Sequence, residues 1–163
     1  MSAPGHAPGA AVRRPAEDVG PPMEDGPASD YFGLKIPFCE HCTIRAVDHG
    51  PGWTLSEVAL APHLCNSGGS GHGGLTMTLL DTSMGSAARL SDPSSVGVVT
   101  VDLHTTFIGP AVERIQCRAE VLRRVGRTVF CEATVTTTDG SLVARGMGTF
   151  RLRHARQGSR SDD

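Results

Sequence analysis

Hydrophobic positions follow two different periods along this chain. Leu75, Met77, Leu79, Leu80, Met84, Ala87 and Ala88 cover most of the circumference of one helix. A helix that is apolar nearly all round is a buried one. It is predicted to run from Gly73 or Gly74 to about Leu90. Asp92-Pro93 ends it, because the residue before a proline is pushed out of the α region. Beyond the helix the period falls to two. Ile115, Cys117, Ala119 and Val121 alternate with Gln116, Arg118 and Glu120, and Val129, Cys131, Ala133 and Val135 also alternate with larger or polar neighbours. Strict alternation predicts half-buried antiparallel strands. Gly126-Arg127 and Asp139-Gly140 stand where hairpin turns are needed. Four consecutive strands are expected at 96–108, 113–125, 128–138 and 142–153. Two more, at 42–47 and 53–60, flank the turn His49-Gly50-Pro51-Gly52. The order β-β-α-β-β-β-β, one long buried helix and then an antiparallel meander, predicts an α+β domain with a curved sheet wrapped around the helix.

The ends of the chain read differently. Residues 1–30 are rich in Pro, Gly and Ala and carry clustered acids, too little apolar surface to offset the entropy of ordering. They are expected to form a disordered leader, followed by one folded domain over 31–154 and a flexible tail over 155–163. Met1 to Gly20 has no apolar run suited to a secretory signal. No stretch approaches the ~18 apolar residues of a membrane helix. A soluble, cytoplasmic protein without a membrane partner is expected.

Charge changes this picture little. The formal net charge is -2, so nucleic acid is not an expected partner. The leader is acidic and the C-terminal half is rich in arginine. Arg123, Arg124 and Arg127 cluster at the hairpin beside Gly126, where guanidinium forks can match phosphate oxygens; solvated surface arginines are the alternative. The five cysteines are irregularly spaced, which fits a reducing compartment better than a disulfide framework. Cys39 and Cys42 form a single C-x-x-C. A structural zinc site needs four ligands, so these are expected to be strand-entry residues, with no metal and no cofactor.

The stretch Asn66-Ser-Gly-Gly-Ser-Gly-His72-Gly73-Gly74 carries the chemistry. Glycines let a ligand approach the backbone N–H groups. A helix starts immediately afterwards, and its first N–H groups lack intrahelical partners and sit at the positive end of the dipole. The segment is suited to a negatively charged oxygen, either a phosphate or a developing oxyanion. Residues 69–74 also satisfy G-x-G-x-x-G formally, but the antiparallel strands that follow exclude a dinucleotide fold. Asp81 lies inside the apolar helix, where a carboxylate faces water, is paired, or has a function. Gly73 and Asp81 are about 12 Å apart along one helix, whereas an oxyanion donor and a base must both lie within ~3 Å of the reacting groups. If both act, two chains must meet: a two-fold pair with antiparallel helices brings one Gly73 to the other Asp81. By alternation Asp102 shares the face of Thr100 and is expected to be structural.

Asn66, His72-Gly73-Gly74-Leu75, Leu80-Asp81, Thr100-Val101-Asp102-Leu103, Phe107 with Pro110, and Asp139-Gly140 occur in this order and spacing. From about Tyr31 to Leu152 the chain thereby resembles the PaaI-like branch of the hotdog-fold thioesterases. The resemblance implies a hotdog fold and hydrolysis of an acyl-CoA thioester in a homo-oligomer, a dimer at least and in some cases a tetramer. It implies that Asp81 is the general base or the nucleophile, and that the Thr100 hydroxyl helps hold the attacking water. The Gly73 N–H and the Asn66 side chain would bind the thioester oxygen. His72, uncharged at the helix N-terminus, would orient a substrate loop that includes Gly74. Other expectations on the same fold are a non-catalytic acyl-CoA-binding protein, which has little use for Asp81, and a hydratase, whose His motif is not present.

Overall fold

The computed structural model describes residues 30–155; the expected leader, apart from Asp30, and most of the expected tail lie outside them. The elements are α1 (Pro37–His41), β1 (Arg45–Gly50), β2 (Trp53–Ala59), α2 (Gly73–Leu90), β3 (Ser95–Phe107), β4 (Arg114–Val125), β5 (Thr128–Thr137) and β6 (Leu142–His154). A short 3₁₀ turn, Pro62–Leu64, precedes the glycine loop. The six strands form one antiparallel sheet, and α2 packs against its inner face. Among the described residues no helix is long and apolar enough to cross a membrane.

The alternating residues build the core as their period requires. Ile115, Cys117 and Ala119 of β4, Val129, Cys131 and Val135 of β5, and Ala144, Phe150 and Leu152 of β6 all point inward and are buried. Leu79, Leu80 and Met84 of α2 lie on them, fully buried; each contributes roughly 1.5–3 kcal/mol of apolar transfer. Gly146 in β6 permits this closeness. A Cβ there would stand 3.1 Å from Leu80 Cδ2 and 3.3 Å from Met84 Cε.

Three readings of the sequence need correction. The first strand begins at Arg45 rather than Cys42. Pro37, with φ already helical, opens the short α1, and the Cys42 N–H closes it on Phe38 O at 3.0 Å. Cys39 is therefore helical and Cys42 is a cap, not strand entries. Burial pushes the Cys39 thiol up to about 11 and raises Cys42 as well.

The meander is also shorter than expected. The strand order is β1-β2-β4-β5-β6-β3: β4, β5 and β6 are consecutive neighbours, but β3 pairs with β6 at the far edge and β2 lies beside β4. Alternation fixes which face a residue takes, not which strand lies beside it.

Finally, Asp102 does not share the face of Thr100. Thr100 pairs with Phe150 and Asp102 with Thr149, so β3 carries one extra residue between them. This bulge at Val101 turns Thr100 inward with buried Phe150 and Asp102 outward.

Two polar clusters hold α2 in place. Tyr31 inserts its hydroxyl among Ser56 Oγ (2.7 Å), Ser83 Oγ (3.3 Å) and Thr82 Oγ1 (3.3 Å). Burial raises its phenol to about 12, and these hydroxyls only partly oppose the shift. Past the far end of α2, Asp92 accepts from Ser94 Oγ at 2.7 Å, pairs with Arg124 at 2.8 Å and meets His154 Nε2 at 3.0 Å.

Candidate active site

The helix start is built by its own cap. His72 is the N-cap of α2, and its Nδ1 accepts from the Gly74 N–H at 2.9 Å. That bond requires an unprotonated Nδ1, which leaves the ring proton on Nε2. Glycine at 74 makes the cap possible, since a Cβ would stand 3.0 Å from the same Nδ1. The His72 N–H is anchored on Leu64 O at 2.9 Å. Gly73 is the first helical residue, and its N–H has no acceptor among the described residues.

Asn66 organises the loop ahead of this cap. Its Oδ1 accepts from the Gly68 N–H at 2.9 Å and the Ser70 N–H at 3.3 Å, and its Nδ2 donates to Ser70 Oγ at 3.0 Å. One Nδ2 hydrogen remains. Gly69 takes φ +81 at the tip, a backbone state that suits glycine.

The other half of the site lies further along the helix. Thr100 Oγ1 donates to Asp81 Oδ1 at 2.8 Å. The β-bulge at Val101 is what aims Thr100 at the helix. Asp81 is half-buried, while the helix beyond it, Ser83 to Ala88, is fully buried. Asp81 and the loop share one exposed strip of α2: Gly74, Met77, Thr78 and Asp81 stand on one face at helical spacing and retain solvent access. The Asp81 charge adds, after burial and Cys42, to the raised Cys39 thiol, which the Thr82 hydroxyl opposes. A cleft of about 80 Å³ beside Cys39 is walled by Tyr31, Leu34, Ile36 and Ile44.

The predicted residues thus fall into two clusters within one chain. Asp81 and Thr100 are together; His72, Gly73 and Gly74 are together. About 12 Å of helix separates the two. The arginines stand apart from both. Arg124 is held by Asp92 and gives its Nε–H to Gly126 O at 2.9 Å. Asp92 lies beyond the C-terminal end of α2, whose last residue, Leu90, is about 13.5 Å of helix past Asp81. Arg123 and Arg127 are exposed. Among the described residues no three His, Cys, Asp or Glu side chains gather as metal ligands would.

The last residue of β3 had no assigned role in the sequence reading. The Phe107 ring lies 3.5 Å from the position a Cβ would take on Gly73, so the phenyl covers the helix N-terminus. A phenylalanine at the end of a strand gives no local signal of this; only the register of β3 against β6 and the course of α2 bring the two together.

Residues 68–144 match the thioesterase superfamily. An archaeal protein named as an esterase, from Halobacterium salinarum, is 35% identical over 82% of this chain and 81% of its own length. The chain belongs to the thioesterase superfamily. It is a thioester hydrolase. Human acyl-coenzyme A thioesterase 13 is 32% identical over 67% of this chain and 79% of its own. The PaaI protein of the E. coli phenylacetic acid degradation operon shares the fold at TM-score 0.67, with 17% identity, covering 72% of this chain and 85% of that one. In this superfamily member the helix wrapped by the sheet is the hotdog architecture.

Proposed function

We propose that this thioesterase hydrolyses acyl-CoA or aryl-CoA esters to free acid and CoA, at sites each built from two copies of the chain. The bond from Thr100 Oγ1 to Asp81 Oδ1 carries the reading. It commits the Thr100 proton to the carboxylate, so the Thr100 oxygen can only accept further bonds. Asp81 Oδ2 and Thr100 Oγ1 then form a pair of acceptors that holds both protons of one water and directs its lone pair outward. Asp81 takes a proton as the water oxygen attacks the thioester carbon. The carbonyl oxygen becomes an oxyanion, which the Gly73 N–H and the remaining Asn66 Nδ2 hydrogen of the other copy stabilise at the positive end of its helix. When the C–S bond breaks, CoA thiolate leaves with the proton that Asp81 holds. The carboxylate is restored, and the water has been divided between acid and thiol.

The need for a second copy is geometric: one chain holds its base and its donor about 12 Å apart. The outer edge of β3 supports it, since among the described residues that strand pairs only with β6 and exposes Val96, Val99 and Val101. The test is hydrolysis across a panel of acyl-CoA esters by the wild type, Asp81→Asn and Asn66→Ala. Both variants should be strongly impaired alone. Mixed dimers should regain activity above either, because one of their two sites receives Asp81 from one chain and Asn66 from the other. No recovery in dimers shown to exchange subunits would refute the shared site, and a panel without a hydrolysed ester would refute the substrate.

A further inference from the structure

The environment of Phe107 has a consequence for substrate choice. By register its side chain belongs to the inner face, because it pairs with buried Ala144. Even so, Phe107 is 53% exposed. Beneath it lies Gly73, which offers no side chain to bury the ring: a Cβ there would stand 3.5 Å from Phe107 Cζ. Met77, 40% exposed, is the large apolar residue on the accessible strip of an otherwise buried helix. It lies midway between Gly73 and Asp81, four residues from each. Both side chains are thereby open to cover from a partner or a ligand.

Each chain ties Phe107 to Gly73 and Thr100 to Asp81. Any two-fold that brings Gly73 of one protomer to Asp81 of its partner must therefore also bring Phe107 of the first to Thr100 of the second. The same operation sets Met77 near the axis, against its own copy, which accounts for its exposure. We propose that Phe107 of one protomer forms a wall of the site that contains its partner's Asp81, packs against the first carbons of an apolar acyl group, and so determines acyl selectivity in trans. This inference rests on the shared-site reading above. The ring lies against Gly73, the residue whose N–H receives the thioester oxygen in that reading, so the atoms within its reach are those next to the carbonyl. An apolar acyl group gains contact area there, and acetyl gains the least.

The experiment compares kcat/KM for acetyl-CoA with that for the best longer acyl-CoA. Phe107→Ala should lower the ratio of longer acyl to acetyl about tenfold, the scale set by one lost apolar contact in a pocket. Phe107→Leu should lower it less. Heterodimers purified through two tags then pair a Phe107→Ala chain with an Asp81→Asn chain. Their single intact Asp81 belongs to the Phe107→Ala chain, but its site receives Phe107 from the other chain. These heterodimers should show the wild-type ratio. A ratio equal to that of the Phe107→Ala homodimer would overturn the proposal, since the ring would then act within its own subunit. So would unchanged ratios in both Phe107 variants. Failure of the shared-site reading is distinguishable, because the Asp81→Asn and Asn66→Ala pairing would then show no recovery. If Phe107→Ala does not assemble, the same heterodimer is made with Phe107→Leu and read against the same two ratios.

Discussion

The two halves of α2 belong to one continuous helix and have opposite fates in the fold. From Ser83 to Ala88 the helix is buried on every side. Past its end, the Ser91 N–H returns to Ala87 O, and Asp92 is filled by Ser94, Arg124 and His154. From Gly73 to Asp81 one strip remains accessible, and among the described residues the first N–H is unpaired and the carboxylate receives a single hydroxyl. Helix propensity does not distinguish these halves. What differs is how completely the polar groups are satisfied by the chain itself. A saturated cluster stabilises; a cluster with spare donors and acceptors can bind something from outside.

The comparison is broken most severely at Asp81. Asp81→Asn keeps the size and the bond from Thr100 but cannot take a proton, so turnover should fall about 10²-fold or more. The thermal midpoint should hardly move. Full activity in this variant would remove the mechanism and leave the accessible half without a catalytic role.

Met84→Ala is the counterpart in the buried half. Met84 is fully buried against β6, and its truncation should cost about 2–5 kcal/mol in urea unfolding. Turnover per folded molecule should persist. A loss of turnover in the folded fraction would show that the two halves are not separable.

A smaller effect with a defined pH signature is expected at Asp92. The His154 contact and then the Ser94 bonds hold its carboxyl well below the usual range. A depressed carboxylate adds stability above its unfolded value, near 4, and loses it as pH falls through the folded value. Asp92→Asn should therefore be less stable than the wild type at neutral pH, and the gap should narrow as pH falls below about 4. Denaturant midpoints measured across that range would show it; a gap that widened toward acid would reverse the assignment.

The smallest effect concerns the exposed arginines. Asp92 already engages Arg124, so any contact with CoA phosphates falls to Arg123 and Arg127. Their joint replacement by Gln should raise KM for an acyl-CoA a few-fold and leave kcat alone. An unchanged KM would assign both to ordinary solvated surface.

Much of this protein was legible in its residues because local periods carry it. The all-round apolar run fixed α2 at Gly73–Leu90, and two-residue alternation fixed β4, β5 and β6 to within a residue or two. The glycine loop and the helix start marked a candidate anion-binding segment without any long-range information, and Asp81 stood out as a carboxylate in an apolar helix. Other features depended on contacts between residues far apart in sequence. Pairing of β3 with β6 rather than β4, the bulge that separates Thr100 from Asp102, and the seating of Phe107 over Gly73 leave no local trace. Cys39 and Cys42 were misread because a five-residue helix is too short for its period to be visible. Sequence determines which face of an element is apolar and where its ends are, since propensity and capping act over a few residues. Only the tertiary structure decides which polar groups are left unsatisfied, because satisfaction depends on what the rest of the chain brings within about 3 Å.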